Sequence, residues 1–264
     1  MARTEENNTL ERPRKVGLAR ALSKLGWCSR GCAAELILAG RVRVNGGVRR
    51  DPETPVRIGK DHFEVDGQPV QSSEKIYLLL NKPRGVVTTA SDEQGRKTVY
   101  DFIDKSLSWV APVGRLDKAS EGLLLLSNDS EWAGKITAPG TRLEKTYHVQ
   151  IATLATAALL KQLETGLQLH DEFLRVKRAS LLRSGQRHSW LEIILDEGKN
   201  RHIRRMFEHL NIEVLRLVRV AIGSLLLGDL AKGTIRKLSE TERVSILEIN
   251  SHRHAAGKSA GIKT

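Results

Sequence analysis

The sequence predicts an α+β protein in two parts: a small helix–helix–hairpin unit, then a larger mixed-sheet domain with flanking helices. Three observations predict it. Between residues 18 and 70, two short helical patterns give way to alternating strand patterns and two tight-turn dipeptides. From residue 76 onward, strands and helices mix without the regular alternation of a doubly wound parallel sheet. The chain has 264 residues, 40% of them hydrophobic, enough for one large domain and one small one.

Leu18, Ala21, Leu22 and Leu25 fall at helical spacing, and Gly26 ends that helix. Ser29 stands where an N-cap belongs for a second helix carrying Ala33, Leu36 and Ile37, which Gly40 closes. Arg41-Val42-Arg43-Val44 alternates as a strand does, and Asn45-Gly46 is a hairpin turn. Val56, Ile58, Phe63 and Val65 are expected to complete a small sheet, with Asp66-Gly67 as a further turn. In the larger part, residues 76–80 form an apolar strand, Asn81-Lys82-Pro83-Arg84-Gly85 punctuates it, and 86–89 resume as a strand. Further strands are expected near 123–126, 146–151 and 191–195, and helices over 154–163 and 200–210. The predicted division is a disordered N-terminus (1–14), a small domain (15–70), a linker (71–75), a large domain (76–250) and a disordered basic tail (251–264).

The formal net charge is +12, and its placement matters more than its size. Residues 11–60 alone hold twelve Lys/Arg against four Asp/Glu. A basic patch in one small folded segment points to a polyanion, because Lys and Arg neutralise phosphates and release counterions. No apolar run is long enough to span a membrane, and residues 1–15 lack a signal-peptide core, so a cytoplasmic protein is expected. Cys28 and Cys32 stand one helical turn apart and lack the other two ligands of a structural zinc site, so no metal is expected.

Gly114-Arg115-Leu116-Asp117-Lys118 is the most informative stretch. An aspartate just before the apolar run Leu123-Leu124-Leu125-Leu126, flanked by Arg115 and Lys118, can be held ionised by positive neighbours. In the 200–210 helix, Ile203 centres the apolar face, with Met206, Phe207 and Leu210 beside it; Arg201, Arg205 and Glu208 fall on the solvent face. Arg204 lies at the edge of the buried stripe, where a cation needs an acidic partner or a phosphate. An Arg204–Asp117 pair is therefore expected. Tyr147 sits in a strand-like segment; it reads either as a half-buried strand tyrosine or as a stacking platform for a base, in a chain only 4% aromatic. His148 points to the other face.

The helix–helix–hairpin segment, with Ser29-Arg30 and Gly40-Arg41-Val42-Arg43-Val44-Asn45-Gly46, resembles the RNA-binding domain named after ribosomal protein S-four. That resemblance implies RNA contacts from Lys24, Arg30, Arg41 and Arg43. Gly114-Arg115-Leu116-Asp117, Lys145-Thr146-Tyr147 and Glu197-Gly198-Lys199 with Arg204-Arg205-Met206 resemble the three motifs of bacterial ribosomal RNA pseudouridine synthases. The similarity spans about residues 15 to 245 and includes Asn81-Lys82-Pro83-Arg84-Gly85, Ser120-Glu121-Gly122 and Ile222-Gly223. It implies a mainly antiparallel catalytic sheet, isomerisation of uridine to pseudouridine without a cofactor, Asp117, Tyr147 and Arg204 as the catalytic set, and Arg115 and Lys82 as further RNA contacts. Where many members carry His-Gln, this chain has Arg201-His202, which favours large-subunit (23S) over small-subunit (16S) ribosomal RNA. A monomer is expected. Two other readings compete: a non-catalytic assembly factor, which would lack the aspartate, and a methyltransferase, which would need a glycine-rich cofactor loop that the sequence does not contain.

Overall fold

The structure, a computed structural model, describes residues 15–247 apart from Ser91, Glu93, Pro139 and Asp171. The N-terminal segment and the tail, both expected to be disordered, lie outside the described residues. The chain divides into two compact units, one ending at Glu74 and joined by Ser108–Val110, the other comprising Lys75–Leu107 and the residues from Ala111 onward.

In the small unit, β1 (Val16–Gly17) leads into α1 (Leu18–Lys24), and α2 (Arg30–Leu38) follows. The Ser29 hydroxyl accepts from Cys32 N at 3.1 Å, the N-cap bond that the sequence promised. The strands are β2 (Val42–Val44), β3 (Gly47–Arg49), β4 (Pro55–Val56), β5 (Phe63–Val65) and β6 (Gln68–Pro69). Asn45 (φ 51) and Gly46 (φ 81) both take positive φ between paired Val44 and Gly47, the geometry of a two-residue primed turn. Asp66 and Gly67 do the same between β5 and β6. Leu18, Leu22, Ile37, Val42 and Val65 fill the core. The expected sheet is split: Val56 pairs with Val16 in β1, and Ile58 lies in no strand, packing on the core instead.

The large unit is built on β7 (Tyr77–Lys82), β8 (Ala111–Val113), β9 (Glu121–Ser127), β10 (Lys145–Ile151), β11 (Leu167–Leu169), β12 (Glu172–Leu174), β13 (Arg178–Ser184), β14 (Ser189–Leu195), β15 (Val214–Ile222), β16 (Leu225–Leu226) and β17 (Ile235–Lys237), with α3 (Ser130–Thr137), α4 (Ala157–Thr165) and α5 (His202–His209). Nine of these strands form one sheet, ordered β13-β14-β10-β15-β9-β7-β17, with β16 on β15 and β8 on β9. Every pair is antiparallel except β15–β9. Two cores back the sheet. Leu163 of α4 and Ile203, Met206 and Phe207 of α5 pack with Val149, Leu191 and Ile193. Trp132 and Ile136 of α3 pack with Leu123 and Leu125. Each such buried side chain contributes roughly 1.5–3 kcal/mol.

Residues 86–89 are not a strand. Val87 forms a single bridge with Thr98, and the Thr88 hydroxyl instead donates to Leu116 O at 2.7 Å. The parallel β15–β9 pair places the C-terminal part of the chain beside the strand that follows Asp117.

Candidate active site

Residues 114–120 join β8 to β9, and all the carbonyl oxygens from Leu116 to Ser120 accept a hydrogen bond. Leu116 O accepts from Thr88, Lys118 O from Gly85 N at 2.7 Å, and Ala119 O from Arg204 Nη2 at 2.9 Å. Asp117 O takes Ser120 N at 3.0 Å, closing a turn. Lys82 Nζ supplies the rest, donating to Ser120 O at 2.8 Å and to Asp117 O and Pro83 O at 3.1 Å each. Lys82 is therefore not an RNA contact. It is 0% exposed, at the end of β7 opposite Gly122, with its three donors spent on carbonyls. Burial pulls its ammonium down to about 8, against the pull of the Asp117 and Glu121 charges.

The backbone of Asp117 is thus fixed while its carboxylate makes no hydrogen bond or ion pair among the described residues. It lines a cleft of about 670 Å³ with Arg115, Lys145, Tyr147, Arg201 and Arg219. The expected Arg204–Asp117 ion pair is not formed. Arg204 is 8% exposed and lies behind the cleft wall, donating to Ala119 O and, at 3.3 Å, to Val214 O. Its Nε has no partner. Carbonyl oxygens satisfy most of a charge that was expected to demand a carboxylate. Burial lowers the Arg204 pKa, with nearby Asp117 acting in the opposite sense. The helix pattern was otherwise as read: Ile203, Met206 and Phe207 are buried, and Arg201 reaches Glu208 on the outside.

Tyr147 is half-buried on β10, opposite Ile193 on one side and Arg219 on the other. The β10–β15 register shifts between Thr146 and Tyr147, a bulge of the kind that re-aims a side chain beside a site. His148 faces the other way, 3.9 Å from Glu192.

Three residues at or beside the cleft were given no role from the sequence: Lys145 and Arg219 line it, and Glu121 follows the lining residue Ser120. Glu121 is 2% exposed and pairs with Arg216 (3.0 Å) and Lys232. Burial raises its carboxyl pKa, and the bonds from Arg216 and Lys232 outweigh that, leaving it below the usual range. An acid heading an otherwise leucine-rich strand was the available signal. Arg219 is 6% exposed, with Nε on Leu123 O at 2.8 Å. Lys145 stands two residues before Tyr147. Gly122, between Lys82 and Arg219, has φ +100, and a Cβ there would lie 2.3 Å from Arg219 O.

In the small unit, Arg30 is exposed at the first turn of α2, and Lys24 is half-buried at the end of α1. Arg41 is held by Asp66 through two hydrogen bonds, at 2.6 and 2.9 Å. Arg43 braces the hairpin by donating to Gly46 O at 3.1 Å. Among the described residues no cluster of three or more His, Cys, Asp or Glu side chains could hold a metal ion, and no helix is long and apolar enough to cross a membrane.

Residues 76–209 match the family model for RNA pseudouridylate synthase, and residues 16–62 match the S4 domain. The ribosomal large subunit pseudouridine synthase B of Bacillus subtilis is 37% identical over 237 residues, 89% of this chain and 97% of the relative. An uncharacterized RNA pseudouridine synthase of Rickettsia bellii is 40% identical over 223 residues, 84% of this chain and 96% of that one. A crystal structure of pseudouridylate synthase superposes with a TM-score of 0.61 at 28% identity, covering 88% of this chain and 99% of the other. With a cleft-lining aspartate held by its own loop and these matches across most of its length, the chain belongs to the RNA pseudouridylate synthase family: it is an isomerase that converts uridine to pseudouridine in RNA.

Proposed function

We propose that the substrate is ribosomal RNA, and specifically large-subunit (23S) RNA. The large ribosomal subunit for which the Bacillus subtilis relative is named and the Arg201-His202 departure support that choice. The observation that carries the catalytic assignment is the Asp117 carboxylate, left unpaired at the cleft while every neighbouring carbonyl is tied. The target uridine flips out of its stack into the cleft, at a cost of a few kcal/mol. Asp117 triggers cleavage of the bond from the base to ribose carbon 1′, as nucleophile or as base at the sugar. The uracil turns and rejoins ribose carbon 1′ through its carbon 5, whose proton is lost to solvent while N1 gains one, so the product is an isomer of the substrate. Tyr147 stacks on the base. Arg204 holds the Asp117 loop through Ala119 O and adds positive potential behind it.

Lys24, Arg30, Arg41 and Arg43 contact RNA from the small domain, and Arg115 contacts it at the cleft. Lys82 is excluded from that set by its burial. The enzyme works as a cytoplasmic monomer on free or assembling ribosomal RNA. Mapping pseudouridines across ribosomal RNA from cells with and without this gene tests the reading. It expects one large-subunit position to be lost; loss only from 16S RNA, or no loss, overturns it.

A further inference from the structure

Arg219 and Lys145 are two cations in the wall of one cleft, and neither makes an ion pair among the described residues. Arg219 is more than nine-tenths buried. One of its donors is spent on Leu123 O, and its Nη2 is buried without a partner. Such a group is costly to leave unmatched. Lys145 is half-buried, and its ammonium makes no hydrogen bond to the described residues. Burial and the adjacent Arg219 charge lower its pKa; Asp196 is the acid that opposes this. Among the described residues, the carboxylates sharing this cleft wall are those of Asp117, Asp196 and Glu197.

Position narrows the ligand. Arg219, on β15, stands directly opposite Tyr147 of β10, and Lys145 is two residues before Tyr147 on β10, hence on the same sheet face. Cross-strand neighbours stand about 5 Å apart, and i, i+2 neighbours roughly 6.5–7 Å. A base lying on Tyr147 therefore has both cations at its margin, not under its ring. The group of a nucleotide that lies at the margin of its base and carries a full negative charge is the phosphate. The uracil oxygens are neutral in the bound substrate and give two cations nothing to neutralise.

We infer that Lys145 and Arg219 form a phosphate subsite for the nucleotide whose base occupies the Tyr147 position. The inference rests on the reading of Tyr147 as the base platform given above. Charge-assisted bonds from a lysine and a guanidinium fork to a phosphate are among the stronger polar contacts a protein makes. They would anchor the backbone while the base departs and turns.

Saturation-transfer NMR titrations of the full chain with uridine 5′-monophosphate and with uridine test this. The wild-type protein is expected to bind the monophosphate about tenfold more tightly than the nucleoside, the factor that one good charged contact supplies. Lys145→Gln should bring the two affinities together while leaving the uridine affinity unchanged. Arg219→Lys, which keeps the charge and loses the fork, should lose part of the preference; if it does not fold, Lys145→Gln decides alone. A wild-type protein without preference for the monophosphate overturns the inference, as does a Lys145→Gln variant that weakens both ligands equally. Tritium release from ribosomal RNA reads the proposed substrate independently. A preference that survives without turnover on ribosomal RNA sinks only the substrate reading, and turnover without the preference sinks only the subsite.

Discussion

Replacing Lys82 with methionine separates two roles that the sequence could not. The side chain is fully buried, and its ammonium ties three carbonyls, two of them flanking the turn that carries Asp117. Methionine fills a similar volume and offers no donor. Asp117 O keeps its bond from Ser120 N, whereas Pro83 O and Ser120 O lose the only donors they have among the described residues. A buried polar group left unmatched costs about 1–3 kcal/mol, and relief from burying an ammonium offsets part of the sum. A net loss of about 2–4 kcal/mol in the large unit is expected, read as a lowered urea midpoint at unchanged slope. Misplacing the loop by about 1 Å should also reduce turnover around a hundredfold. The salt dependence of RNA affinity should not change, since a lost phosphate contact would reduce the log–log slope by about 0.7–0.9. A Lys82→Met protein of wild-type stability with a shallower salt slope would refute the reasoning and restore Lys82 as an RNA contact.

Gly122→Ala places a methyl 2.3 Å from a backbone oxygen at φ +100, and neither strand can move cheaply; stability measured by urea should fall by more than about 3 kcal/mol. Glu121→Gln leaves Arg216 and Lys232 without their shared carboxylate and should cost about 1–3 kcal/mol at neutral pH. Glu121 titrates below its ordinary 4.5, so its contribution is present above that value and lost as pH falls through the folded pKa; the gap between variant and wild type should close there in acid melts. Lys82 loses its proton near pH 8 in the fold rather than at its ordinary 10.5. Turnover should therefore fall above about pH 8 as one of its three donors disappears, while its effect on stability runs the other way, because the unfolded chain holds the proton up to 10.5. A flat alkaline limb in the pH–rate profile would argue against the lysine's hold on the loop.

Local chemistry was legible in the sequence, and distant pairing was not. Asn45-Gly46, Asp66-Gly67 and the Ser29 cap were read correctly because each depends on one or two residues and a fixed backbone geometry. The buried stripe of α5 was legible for the same reason: Ile203, Met206 and Phe207 repeat within one helix. Residues 86–89 have strand-like composition, but Thr88 is spent on Leu116 O and only Val87 finds a bridge. α3 was missed although Asp129 caps it, because Trp132 and Ile136 are too few to set a period. Arg204 was placed correctly at the edge of the buried stripe, yet its partner could not be deduced. A buried guanidinium is satisfied by carbonyls as well as by a carboxylate, and the carbonyl it found is 85 residues away. Lys82, Glu121 and Arg219 share that limit, since their partners, Pro83 O apart, lie 35 to 111 residues off.

The most direct test of the central claim is tritium release from ribosomal RNA carrying tritium at uridine carbon 5, with the wild-type protein and Asp117→Asn compared at matched folding and RNA affinity. The wild type should release tritium as pseudouridine forms. Asp117→Asn, nearly isosteric and with no hydrogen bond to lose, should fold, bind and release none. An Asp117→Asn protein that still makes pseudouridine would contradict the assignment of the unpaired carboxylate as the group that starts the reaction.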